Sequence, residues 1–217
     1  AIFQPRFHEF GPRTILGKTY KVEGAEQLEA VLPDLAAHPS TARNIAEKFA
    51  RHFVSDKVSE ALVAELTDAF LETGGDLREL ALTLLESDHA WGGEPSKTVP
   101  PYEFMVASMR ATQSRIPPPN FLLRTTGSLA QGLWNPPSPA GWPSADTAFL
   151  GGDSLLERVD YARQLAARFV NVDSVPRLAE DLFGEALDPF VMEAIERAED
   201  KNQALVLLLM SPAFHRR

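Results

Sequence analysis

Cysteine is absent from all 217 residues, which removes disulfides, thiolate metal sites and a cysteine nucleophile together. Histidine is scarce: five, at positions 8, 38, 52, 89 and 215, with no i, i+4 or HxH spacing, so no metal site is expected. No glycine-rich phosphate loop occurs. Thr73-Gly-Gly-Asp76 reads as a helix C-cap followed by an N-cap, so ATP and dinucleotides are unsupported and no cofactor is expected. A Gly-x-Ser-x-Gly elbow is missing, and Asp76 to Glu86 lacks the alternating oxygen spacing of a calcium loop. No apolar run approaches the roughly 18 residues of a membrane span; the longest, Ala204 to Met210, has the length of a buried helix. Basic residues are in deficit, 21 against 30 acidic, and the net charge of -9 opposes a phosphate backbone, so nucleic acid is not an expected partner.

What is present is helical periodicity over a length able to bury a real core. Ala1-Ile-Phe-Gln-Pro has neither an initiator Met nor the apolar region of a signal peptide, and reads as the start of a fragment or processed form. Residues 1–24 carry Pro5, Gly11, Pro12, Gly17 and Gly24 and predict an irregular arm with turns and a short strand pair. From Ala25, Leu28, Val31, Leu32 and Leu35 make one stripe, with Pro33 expected to kink or split the helix. Pro39 suits a first helical turn, and Ala42, Ile45, Phe49 and Phe53 form the next stripe. Leu62, Leu66, Ala69 and Phe70 follow, closed by Gly74. Asp76-Leu-Arg-Glu79 predicts a capping box.

The segment 92–97 reads as a turn-rich connection, and Pro100-Pro101 opens a helix apolar nearly all round, which predicts a central position. Nine of the seventeen prolines lie between 100 and 143, so this middle section is stiffened into turns and extended backbone around a short helix over 121–131. Helices are predicted again over 153–169, 174–184, 188–199 and 201–210. Ala46-xx-Phe49-Ala50-xx-Phe53-Val54 matches Ala162-xx-Leu165-Ala166-xx-Phe169-Val170, and Leu84-Leu-Glu-Ser87 matches Leu208-Leu-Met-Ser211. The reading is an all-α protein of about nine helices: arm 1–24, helical module 25–98, Pro/Trp-rich bridge with a central helix 99–150, and a similar helical module 151–217, with the bridge across the junction of two packed modules.

The run His38-Pro-Ser-Thr-Ala-Arg-Asn-Ile-Ala-Glu-Lys-Phe-Ala-Arg-His-Phe-Val54, the segment Lys97-Thr-Val-Pro-Pro-Tyr-Glu-Phe104 and Pro136-Pro-Ser-Pro-Ala-Gly-Trp-Pro143 resemble the bacterial family called domain of unknown function 1800. His8 to Gly17 and Leu209-Met-Ser-Pro-Ala-Phe214 fit it in the same order. The resemblance implies that this is the C-terminal half of a longer protein, so the N-terminal half is a natural partner. It also implies an exported protein, periplasmic or extracellular, encoded beside a second secreted protein. Ala130-Gln131 stands where the family has Gly-Gln, and Phe149 near where it has Trp.

Five groups of residues carry candidate chemistry. Glu103 and Arg110 lie two turns apart on the apolar helix with Ala107 between them, either a charged notch with Glu103 as acid or base, or a structural ion pair. Trp134 and Trp142, with Asn135 between them, flank a proline-stiffened loop, able to present aromatic faces to a sugar or a protein, or else to plug the seam between modules. Asp146 follows closely as a second acid/base candidate. His38 before Pro39 is a positioned base or simply an N-cap, and Ser40 and Thr41 read as first-turn cap residues. His8 beside Glu9 reads as a solvent-facing pair. The leading expectation is a binding or assembly module of an exported bacterial protein, using Trp134, Trp142, Asn135 and Arg110, with the co-encoded secreted protein or an envelope glycan as partner. The alternative is a hydrolase-like enzyme with Glu103 or Asp146 as acid/base, Arg110 on an anionic group and His38 assisting.

Overall fold

In the computed structural model, which describes residues 3–93, 96–143 and 145–216, twelve α-helices and one two-stranded sheet form among those residues. The protein is all-α, and the helices beyond the expected nine include two single turns, Asp88–Trp91 and Pro212–His215. The chain divides into two compact units, residues 1–93 and 94–217. The expected connection over 92–97 includes residues 94 and 95, which lie outside the described residues.

In the first unit, β1 (Arg13–Ile15) pairs antiparallel with β2 (Lys18–Tyr20). Leu16 and Gly17 both have positive φ, 46° and 82°, the twist a two-residue hairpin needs. The arm is tied down by polar contacts: Tyr20 Oη donates to Asp34 at 2.6 Å, Lys18 pairs with the same carboxylate, and buried Gln27 donates from Nε2 to the carbonyls of Gly11, Tyr20 and Val22. Hydrogen bonds from Lys18 and Tyr20 hold Asp34 below the usual carboxylate range, and the same carboxylate raises Tyr20. α1 (Ala25–Ala36) is one helix running through Pro33. Pro33 sits near the end, where its missing N–H removes a single bond.

α2 (Pro39–Phe53), α3 (Glu60–Glu72), α4 (Leu77–Glu86) and α5 (Asp88–Trp91) complete this unit. Its core is the alanine face Ala42, Ala46, Ala50 against Leu62, Val63, Leu66 and Phe70, with Leu80 and Leu84. The expected stripe ending at Phe53 is therefore displaced: Phe53 is exposed, as are Leu28 and Leu32 of α1. Small side chains let helix backbones approach closely, so the alanine face, rather than the bulkier one beside it, takes the interior. α3 ends on Gly75, whose N–H bonds the Phe70 carbonyl at 2.8 Å. A Cβ there would sit 3.0 Å from the Phe70 ring at φ 90°, so this cap admits only glycine. Half of the predicted capping box forms: Asp76 accepts from the N–H groups of Arg78 and Glu79, but the Glu79 carboxylate turns to Arg78 instead of reaching back.

The second unit contains α6 (Pro101–Ala111), α7 (Pro119–Ser128), α8 (Gly152–Phe169), α9 (Val175–Phe183), α10 (Pro189–Glu196), α11 (Lys201–Leu209) and α12 (Pro212–His215). One apolar cluster joins Phe104 and Met105 of α6, Tyr161, Ala162, Leu165 and Ala166 of α8, and Leu205, Leu208 and Leu209 of α11. Each fully buried leucine contributes about 2 kcal/mol by removal from water. Residues 96–143 and 145–150 thus fold with the last third of the chain. Arg115 closes the C-terminus of α8, donating its N–H to Phe169 and its guanidinium to Arg168, both carbonyls of the last turn, a favourable place for a cation. The matched alanines of α2 and α8, Ala46 with Ala162 and Ala50 with Ala166, are all buried. One turn earlier α2 has Ala42, whereas α8 has Arg158.

Candidate functional site

The polar chemistry of the second unit gathers on the short extended segment that precedes α6. Thr98 bridges Arg216, and the Val99 N–H donates to the His215 carbonyl at 2.9 Å. Arg158, wholly buried, donates from Nη2 to the Val99 carbonyl and from Nη1 to His215 Nδ1, both at 2.8 Å. Its guanidinium carbon lies 5.1 Å from the centre of the Phe104 ring, on which His215 also stacks at 4.8 Å. No carboxylate pairs with Arg158 among the described residues. A buried cation ordinarily requires such a partner; here a carbonyl, an imidazole and an aromatic face share that role. Burial pulls the guanidinium down to about 10, leaving it charged at neutral pH. Burial first, and the Arg158 charge second, pull His215 down to about 4, with the Leu209 carbonyl opposing. His215 is therefore neutral and accepts at Nδ1.

The same segment anchors the Pro/Trp-rich loop at both ends. Asp146 accepts the Thr98 N–H at 3.0 Å and faces the Lys97 ammonium at 3.5 Å, Lys97 being only 3% exposed. At the other end Gln131 Oε1 accepts the Tyr102 N–H at 2.7 Å. That N–H is one of the orphan donors of α6, whose N-cap Pro100 supplies no side-chain bond, so Gln131 caps the helix from the loop. Residues 132–143 and 145 are thereby held between two clamps that meet the chain four residues apart, in the manner of an Ω-loop. Within it Trp134 has φ 59° and is 94% exposed. Left-handed backbone at a bulky residue costs of order 1–3 kcal/mol. Trp142 is half-buried, its indole N–H enclosed without a hydrogen-bond partner among the described residues, and the Asn135 side chain is exposed.

Within the second unit Trp134 plugs nothing, its side chain standing almost wholly in solvent. α6 is also less central than its composition predicts: Phe104, Met105 and Ser108 are buried, but Tyr102 and Arg110 are exposed. Its outer face forms one side of an open groove of about 570 Å³, lined by Glu103, Ala107 and Arg110 together with Val106, Leu182 and Phe214. The expected pairing of Arg110 with Glu103 does not form, and Arg110 makes no ion pair among the described residues. Asp146 is engaged with Lys97 and Thr98. His38 caps α2 of the other unit, accepting the Ser40 N–H at 3.1 Å. Thus Glu103 and Arg110 share a groove, while Asp146 and His38 are not brought into it.

Lys97, Gln131, Arg158 and His215 escaped the reading of the sequence as site residues. For Arg158 a signal existed: it lies four residues before Ala162 and seven before Leu165, so it is a charge on the buried stripe. No comparable signal marks His215.

Fold and site define an all-α protein of two units whose second unit presents a clamped Pro/Trp loop beside a buried arginine-histidine cluster. The chain belongs to the family described as protein of unknown function DUF1800, whose sequence model matches residues 1–216. No curated protein and no solved structure matches it.

Proposed function

We propose that this protein is a binding module of an exported bacterial assembly, docking through residues 132–145 onto a second secreted protein encoded beside it. The observation that carries this reading is Trp134, almost fully exposed and in left-handed backbone on a loop clamped by Gln131 and Asp146. A stiff aromatic loses little entropy on docking, and tryptophan is over-represented among residues that dominate binding energy. The prolines at 136, 137, 139 and 143 add to this preorganisation.

Trp134→Ala is expected to leave thermal unfolding within about 0.5 kcal/mol of wild type, because the side chain buries almost nothing. Affinity for the co-encoded protein, measured by surface plasmon resonance, is expected to fall about 30-fold, the equivalent of about 2 kcal/mol. Unchanged affinity in this variant would refute the reading.

A further inference from the structure

We propose that the groove on the outer face of α6 binds a small apolar carboxylate, with the acid group on Arg110 and the hydrocarbon body along Val106, Ala107, Ala111, Leu182 and Phe214. At about 570 Å³ the groove falls within the usual range for small-molecule sites, roughly 300–1,000 Å³. Three separate elements wall it: α6 along one side, the end of α9 at Leu182 and α12 at Phe214. The lining is largely apolar, and Tyr102 and Leu182 keep 47% and 40% of their surface in solvent, area that a hydrocarbon body would cover. Ala107 and Ala111, one turn apart, form the depression between the larger side chains.

Arg110 supplies the charge complementarity. It is exposed, lines the groove and makes no ion pair among the described residues. A planar guanidinium binds carboxylate through two parallel hydrogen bonds. Glu103 stands about 10 Å away along the helix, at the other end of the groove. The competing role for Arg110 is purely structural: it lies in the last turn of α6, where any cation is stabilised by the helix dipole. That role predicts an effect on stability and none on ligand.

The site is independent of the Trp134 loop, so either reading can fail alone. The test follows amide shifts of the 15N-labelled protein during titration with sodium octanoate and, separately, 1-octanol. Saturable shifts are expected for residues 106–111, 182 and 214 with octanoate. Arg110→Met, which keeps an apolar stem and loses the fork, is expected to weaken octanoate at least fivefold and octanol less than twofold. Ala107→Leu, which fills the depression, is expected to weaken both, and Trp134→Ala neither. Non-saturable shifts, saturable shifts confined to other residues, or equal octanoate affinity in wild type and Arg110→Met would overturn the proposal. Should Ala107→Leu fail to fold, the Arg110→Met comparison decides alone.

Discussion

Acidification is expected to destabilise the second unit through His215. This imidazole is held near 4 in the folded protein against an ordinary 6.5, because it is buried, stacked on Phe104 and bonded at Nδ1 to the Arg158 cation. Protonation would place N–H against N–H and a second positive charge beside a guanidinium with no carboxylate partner among the described residues. The unfolded chain binds the proton more readily, so stability is fully present above pH 6.5 and is lost as pH falls toward 4. From the two values the loss from this group is about 1.4 kcal/mol at pH 5.5 and about 3 kcal/mol at pH 4. Urea unfolding at pH 7, 5.5 and 4 measures it. Trp91→Phe removes the sole tryptophan of the first unit, leaving Trp134 and Trp142 as reporters of the second. His215→Gln keeps an acceptor for Arg158 but cannot titrate. Its absolute stability is expected to be lower, and its decline between pH 7 and 4 smaller by about 3 kcal/mol than that of the parent. If parent and variant declined in parallel to within about 0.5 kcal/mol, the buried neutral histidine would be refuted.

Two further outcomes test the clamps and caps. Asp146→Asn removes the charge facing nearly buried Lys97 while keeping an acceptor for the Thr98 N–H; a loss of about 2 kcal/mol in urea unfolding and faster proteolysis within residues 132–145 are expected. Asp76→Ala should cost about 1 kcal/mol as a lost N-cap. Glu79→Ala should stay within about 0.5 kcal/mol, since that carboxylate bonds Arg78 rather than the Asp76 N–H, and thermal unfolding of the pair distinguishes the two.

Much of the helical layout is legible because proline and cap residues act locally. His38-Pro39, Asp76 and Asp188-Pro189 mark helix starts that the structure reproduces. The choice of face is less legible where two stripes compete. In α2 the alanine and phenylalanine faces are both apolar, and only the need of α3 for close approach decides between them. Arg110 and Glu103 were readable as neighbours on one helix face, since helical spacing alone places them there. Their failure to pair was hidden, since it depends on what other elements bring beside each of them. The loop was recognisable from its prolines and tryptophans, but its fastening was not: Gln131 bonds residue 102, and Asp146 bonds residues 97 and 98. Such partners are separated by 29 and 48 positions, and no short-range pattern encodes them.

Composition, periodicity and capping therefore determined the all-α class, the positions of most helices and the stiffness of the loop. Each of these follows from backbone sterics and side-chain spacing within a few residues. Tertiary structure alone decided that Arg158 and His215 share a buried site with Val99, that the tryptophan loop is clamped to the entry of α6, and that Trp134 stands in solvent. Those outcomes depend on which distant polar groups satisfy one another once water has been excluded, and chain topology, rather than local sequence, brings them together.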